Sequence, residues 1–298
     1  YYDARFGHRL ENVMIAGGVS GALMLSLMAT VNPGDEVIFG DPYFVMYPHL
    51  TRLFGGVPVP VDTYPDFKLR PEAVEAAITE RSKILIVNSP ANPTGVALSG
   101  EELDALAAVA RKHNLLVISD EIYESLIYDL APASMAGRLD ALVVLNGFSK
   151  SAGMTGWRLG YAAGPEPIIQ AMNTLQQYSF VCAPSMAQRA GVVALRADPT
   201  PKVTAYRVKR DIAYEGLREH FTVTKPNGAF YIFPEAPGGD GTAFVKRAIE
   251  ENVIVIPGNV FSGRDTHIRV AFTLDDETLR RGIATLARLA AALPAVAK

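Results

Sequence analysis

Along the first half of the chain, short continuous apolar runs of strand length alternate with stretches whose apolar residues recur at helical spacing. Val13-Met14-Ile15 leads into a Gly-rich turn, Ala16-Gly17-Gly18-Val19-Ser20-Gly21, and a helical run from Ala22 to Val31 that stops at Asn32-Pro33-Gly34-Asp35. Glu36–Gly40 and Val57–Val61 read as strands, with a helix between them over Tyr43–Phe54. Pro71 is placed to open a helix to Thr79, because its missing N–H would be unpaired in a first turn anyway. Lys83–Val87, Leu115–Ser119 and Ala141–Leu145 carry the uninterrupted apolar character of parallel strands covered on both faces. Ser99 followed three positions later by Glu102 predicts a capped helix running to about His113.

Beyond Gly164 the texture changes. Ala-rich helical stretches over Pro165–Tyr178, Pro184–Ala197 and Pro199–Glu219 precede short strands near Phe221–Thr224 and Ala229–Phe233, a strand at Ile268–Phe272 and a final helix from Asp275 to Leu293. The pattern predicts the α/β class, a mostly parallel central sheet with helices on both faces and right-handed crossovers, plus a smaller C-terminal α+β domain. The expected division is 1–196 for the large domain and 197–298 for the small one.

Composition narrows the function. The 298 residues are 49% hydrophobic and 20% charged, enough for a sizeable core. Lys and Arg total 28 against 31 Asp and Glu, net −3, and no basic stripe suits a nucleic-acid backbone. The longest apolar stretches, such as Ala22–Val31, fall short of the roughly 20 residues that cross a bilayer. Cys182 is the only cysteine, so there is no internal disulfide; this fits a reducing cytoplasm, and the thiol reads as a small buried hydrophobe. The five histidines are scattered, and none has the i, i+4 spacing of a metal pair, so metal catalysis has no support.

Three segments place reactive groups where buried strands end, the place where ligands collect in open α/β sheets. They are Asn88-Ser89-Pro90-Ala91-Asn92-Pro93-Thr94-Gly95, Ser119-Asp120-Glu121-Ile122-Tyr123, and the run from Asn146 through Ser149-Lys150 to Arg158-Leu159-Gly160-Tyr161. Ser-Lys and Asn-Pro-Thr-Gly are each ordinary loop sequences alone; in this order, together, they are distinctive. The Gly-rich turn also approximates a dinucleotide fingerprint, with Ala16 in place of its first glycine and Asp41 placed as a ribose-binding acid. A nicotinamide-dependent oxidoreductase is therefore an alternative, although it leaves the Lys150 segment without a role.

The order of these motifs closely resembles the class I and II aminotransferases, pyridoxal-5′-phosphate enzymes of fold type I, from about Tyr1 to the C-terminus. The resemblance implies that Lys150 is the Schiff-base lysine, that Asp120 faces the pyridine nitrogen, and that Asn92 and Tyr123 face the ring hydroxyl. It implies a phosphate seat from Arg158, Ser149 and the N–H groups of the turn at Ser20, Gly21 and Ala22, with Phe44 stacked on the ring and Arg269 on the substrate carboxylate. Gly147 stands where many relatives carry a phosphate-binding Ser or Thr. Family members also carry an N-terminal arm, a glycine-containing substrate loop and a tyrosine reaching the partner subunit's phosphate ahead of the point that corresponds to Tyr1.

The implied chemistry suits these residue types. A lysine forms an imine with the cofactor aldehyde and, once displaced, serves as the base at the substrate Cα. A buried carboxylate keeps the pyridine nitrogen protonated, which strengthens the electron sink. A helix N-terminus with a guanidinium suits the phosphate, and a lone arginine in an apolar strand suits a carboxylate. The implied reaction is a ping-pong transfer from an α-amino acid to a 2-oxo acid through a pyridoxamine form, in a cytoplasmic homodimer whose segment Gln177–Ser185 contributes to the neighbouring site. Aspartate, aromatic or alanine donors each fit. Rivals on the same fold are a carbon–sulfur β-lyase and a non-catalytic cofactor-binding sensor.

Overall fold

The computed structural model describes residues 1–293, so residues 294–298 of the expected C-terminal domain lie outside the described part. After a short helix α1 (Tyr2–Phe6), the chain builds strands β1 (Val13–Ala16), β2 (Glu36–Asp41), β3 (Val57–Asp62), β4 (Ser82–Asn88), β5 (Leu116–Asp120), β6 (Leu142–Gly147) and β7 (Gly160–Ala163). They form one sheet in the order β1-β7-β6-β5-β4-β2-β3. The run β6-β5-β4-β2-β3 is parallel, and β7 is antiparallel to both of its neighbours. The crossovers carry α2 (Gly18–Thr30), α3 (Met46–Leu53), α4 (Pro71–Ala77) and α5 (Gly100–Lys112).

Strand alternation divides the core in two. Ile84, Ile86, Ile118, Val143 and Leu145 face one side with Leu23 and Leu25 of α2. Leu85, Val87, Val117, Leu142 and Val144 face the other with Leu103 and Leu106 of α5. Each such side chain stabilises the fold by about 1.5–3 kcal/mol, and burial on both faces explains why these strands are continuously apolar in sequence. Helix α5 starts where expected: the Ser99 side chain accepts the Glu102 N–H and the Glu102 carboxylate accepts the Ser99 N–H.

Helices α6 (Glu166–Gln177), α7 (Ser185–Ala194) and α8 (Thr200–Leu217) follow, then β8 (Tyr231–Ile232), α9 (Gly241–Glu250), β9 (Ile256–Pro257), β10 (Ile268–Ala271) and α10 (Asp276–Ala291). The three late strands make an antiparallel sheet in the order β8-β10-β9. Among the described residues no helix is long and apolar enough to cross a membrane.

Several expectations are corrected. Phe221–Thr224 forms no strand, and only Tyr231–Ile232 of the Ala229–Phe233 run is laddered, because the β-branched residues of the first have no partner strand alongside. Strand β7 is an addition: its small residues Gly160, Ala162 and Ala163 lack the bulky apolar signature of its neighbours. Helix α2 begins at Gly18, earlier than the apolar run suggests. Cys182 is exposed rather than buried, because it sits in the loop after α6 instead of on a packed face. The dinucleotide reading of the Gly-rich turn and Asp41 fails on topology: β1 and β2 are separated by β7, β6, β5 and β4, so β1-α2-β2 is not a unit of adjacent parallel strands.

One glycine holds the site end of the sheet together. A Cβ on Gly160 would lie 2.6 Å from the Gly18 carbonyl carbon and 2.8 Å from the Val19 nitrogen, both backbone atoms that cannot move aside. Gly160→Ala is expected to destabilise the protein by about 1–3 kcal/mol in urea unfolding, with Gly263→Ala, where a Cβ would meet nothing within 4 Å, as the comparison.

Candidate functional site

The parallel topology sets the site. Strands β4, β5 and β6 are adjacent and end at Asn88, Asp120 and Gly147, so the three motif segments leave the sheet side by side. Strand β7 pairs Gly160 with Gly147 on one side and Ala16 on the other, which brings the Gly-rich turn to the same edge. From the late sheet, Arg269 of β10 reaches across to donate from Nη1 to Asn92 Oδ1 at 2.8 Å.

These elements enclose a cavity of about 240 Å³ lined by Val19, Ser20, Phe44, Asn88, Asn92, Asp120, Ile122, Tyr123, Ser149, Lys150, Thr155, Arg158, Tyr231 and Arg269. Ser20, Phe44, Asn92, Asp120, Tyr123, Ser149, Lys150, Arg158 and Arg269 from the sequence reading therefore meet in one place. Gly21 and Ala22 do not line it: Ala22 is fully buried, and Gly21 faces the Phe180 ring. The early start of α2 puts Ser20 in its first turn, where N–H groups are free for an anion.

Asp120 is buried, and no cation touches it among the described residues. Its Oδ2 accepts from Tyr47 Oη at 2.9 Å and its Oδ1 from the Ile122 N–H at 3.3 Å. Burial pushes its carboxyl up to about 6, and the bonds from Tyr47 and Ile122 only partly offset this. Lys150 moves the other way. Burial, then the charges of Arg269 and Arg158, hold its ammonium below the ordinary lysine value. Its Nζ lies 5.5 Å from the Phe230 ring centre.

Arg158 closes a short 3-10 turn (Thr155–Trp157) in the left-handed region, φ 51°, and donates only to backbone oxygens, Thr155 at 3.0 Å and Gly17 at 3.3 Å. A Cβ at Gly18 would sit 2.7 Å from its Nη2, so that glycine admits the guanidinium. Arg269 lies between the Tyr231 and Phe261 rings, its Cζ 4.6 and 4.5 Å from their centres, and its buried Nε has no partner. Tyr123 is buried, with its hydroxyl 3.0 Å from that of Tyr231. Among the described residues, the arrangement offers one buried anion, two guanidiniums without acidic partners, and the Lys150 amine held below its ordinary value.

A family model described as "Aminotransferase class I and II" matches residues 4–286. The chain belongs to the class I and II aminotransferases. An aminotransferase of this family is an enzyme that depends on pyridoxal 5′-phosphate. The probable aspartate aminotransferase of Methanocaldococcus jannaschii is 37% identical over 284 residues, covering 92% of this chain and 76% of that protein. The aspartate/prephenate aminotransferase of Thermus thermophilus is 38% identical over 295 residues, with 94% and 75% covered. Among solved structures, the Thermus thermophilus aspartate aminotransferase with maleate superposes with a TM-score of 0.92 at 37% identity, covering 97% of this chain and 79% of that one. The aromatic aminotransferase of Pyrococcus horikoshii gives 0.90 at 33%, with 97% and 82% covered.

The residues present fit the aminotransferase cofactor. A cation-free buried carboxylate suits a pyridinium nitrogen, an unpaired amine suits an aldehyde, and a guanidinium at a helix start suits a phosphate. Asn88 and Tyr231 in the lining, and Tyr47 behind it, were not among the candidate residues of the sequence. Asn88 donates to the Asp120 carbonyl at 2.9 Å and accepts the Asn92 N–H at 2.9 Å, tying two of the loops together; its place at a strand end was the available signal. Tyr231 came without one. Tyr47, which supports Asp120 from behind, sits three residues after Phe44 on α3 and carried only that spacing.

The raised Asp120 carboxyl makes a signed prediction for the cofactor-free protein. The native state keeps a proton that the unfolded state has already lost, so stability from this group is present below about pH 4 and lost as the pH rises to about 6. Asp120→Asn removes that loss. In urea unfolding, the variant should gain on wild type by about 2–3 kcal/mol between pH 4 and pH 7, and by nothing if Asp120 titrates in its ordinary range.

Proposed function

We propose that this aminotransferase moves an amino group from an α-amino acid to a 2-oxo acid in two half-reactions, with Lys150 as the residue that both anchors the cofactor and carries the proton. The observation that supports this most directly is the Lys150 amine: unpaired, partly buried, and held below the ordinary lysine value beside Arg158, Arg269 and Asp120. Bound pyridoxal phosphate supplies an aldehyde for the amine exchange and a conjugated ring that takes up the electron pair left at the substrate Cα.

The chain's own residues divide the remaining work. Asp120 holds a proton on the ring nitrogen by offering a carboxylate in a buried setting, and Tyr47 keeps that carboxylate oriented. Tyr123 and Asn92 line the cavity with Lys150 and meet the ring hydroxyl, while Phe44 covers the ring face. Arg158, Ser149 and the first turn of α2 at Ser20 hold the phosphate. Arg269, with Nε and part of its guanidinium unused, takes the substrate α-carboxylate. Lys150 Nζ, once free, accepts the Cα proton and returns it in the reverse half-reaction.

The relatives' names put aspartate first among donors to try, with aromatic amino acids next. We also infer a cytoplasmic homodimer. The loop and helix that follow α6 expose Tyr178 at 84%, Val181 at 66%, Met186 at 72% and Val193 at 71%, an apolar surface suited to a second copy.

The test is a titration with pyridoxal phosphate followed by aspartate, glutamate, alanine and phenylalanine. Wild type should develop a visible absorption band that one donor bleaches while releasing its 2-oxo acid, and 2-oxo acid acceptors should restore it. Lys150→Ala should form no such band and lose about 10⁴-fold or more in transfer rate. Pyruvate and ammonia released from a cysteine conjugate without any acceptor would instead mark a carbon–sulfur lyase.

A further inference from the structure

Tyr231 touches both halves of the site. Its hydroxyl lies 3.0 Å from the Tyr123 hydroxyl, and its ring face lies 4.6 Å from the Arg269 guanidinium carbon. It is 7% exposed, on a two-residue strand paired to β10, with Ala271 as its register partner. The strand is pinned to the Asn-Pro-Thr-Gly loop: the Gly95 carbonyl accepts from the N–H groups of Asn227 at 3.2 Å and Gly228 at 2.8 Å. Gly95, at φ +72°, approaches so closely that a Cβ there would lie 2.4 Å from the Tyr231 carbonyl oxygen.

We propose that Tyr231 is a positioning residue that couples the cofactor end of the site to the substrate end, its hydroxyl setting the hydrogen bond that Tyr123 offers and its ring fixing the Arg269 guanidinium. The inference rests on the cofactor placement proposed above and adds a residue to it. Either hydroxyl can donate in this pair; with Tyr231 as the donor, Tyr123 keeps its own proton for the cavity that it lines. The ring does a second thing. Arg269 has a single side-chain hydrogen bond, to Asn92, so the Tyr231 and Phe261 faces on either side hold its plane while its other donors stay open. Because both contacts belong to one rigid side chain, a carboxylate that draws Arg269 inward also acts on Tyr123.

Two substitutions separate the contacts. Tyr231→Phe keeps the ring and deletes the hydroxyl; Tyr231→Leu deletes both. A donor on the cofactor's ring oxygen favours the state in which that oxygen carries its full negative charge, so losing the donor makes the visible band titrate at higher pH. In the cofactor-loaded protein, Tyr231→Phe is expected to raise the pH midpoint of that band by about half a unit to one unit, with the amino-acid KM within about twofold of wild type. Tyr231→Leu is expected to show the same midpoint shift and, in addition, a KM about tenfold higher. An unmoved midpoint in Tyr231→Phe, or equal KM increases in both variants, overturns the coupling. If wild type takes up pyridoxal phosphate without any visible band, the cofactor reading itself fails, and this inference fails with it.

Discussion

The arrangement at the sheet's edge depends on charges that the protein leaves without internal partners. Asp120 is buried with a tyrosine and a backbone N–H for company, and Lys150, Arg158 and Arg269 line the same cavity without an acidic partner among the described residues. Separated charges of this kind are costly in a folded chain, since burial penalises each one and the cations repel one another. The cost appears directly in Asp120, driven up to about 6, and in Lys150, driven down. A ligand with a cationic ring nitrogen, an electrophilic carbon and an anionic phosphate answers all of these at once, and a second anion satisfies Arg269.

The fold keeps these groups apart and in place. Adjacent parallel strands deliver Asn88, Asp120 and the Lys150 loop from one edge, and two apolar cores on opposite faces of the sheet give that edge its rigidity. Close backbone contacts finish the work. Gly160 lets β7 lie against the start of α2, Gly18 leaves room for the Arg158 guanidinium, and Gly95 lets the Asn92 loop rest on β8. The two sheets thus meet at the cavity through Arg269, Asn92, Tyr231 and Tyr123, joined by one small set of bonds.

Much of this was legible in the sequence, for reasons that differ by residue. Strands β4, β5 and β6 announce themselves because burial on both faces demands uninterrupted apolar residues, and the polar residues that interrupt them mark the cavity. Strand β7 does not, because close approach selects small residues there. Phe221–Thr224 misleads in the opposite sense: β-branched residues favour an extended chain, but a ladder needs a partner that local sequence does not specify. Tyr47 and Tyr231 carry no distinguishing signal in the sequence, and only the fold brings their hydroxyls to Asp120 and Tyr123. The Gly-rich turn illustrates a limit of motif spacing, since its distance to Asp41 resembles a dinucleotide site while four strands separate the two in space.

The central claim is that the buried Asp120 carboxylate holds a proton on the ring nitrogen of the cofactor. Nitrogen-15 NMR of the protein loaded with pyridoxal phosphate labelled at that nitrogen measures this directly, near neutral pH, in wild type and Asp120→Asn. The account predicts a protonated ring nitrogen in wild type and a neutral one in the variant. A neutral nitrogen in both, or a protonated one in both, would contradict it.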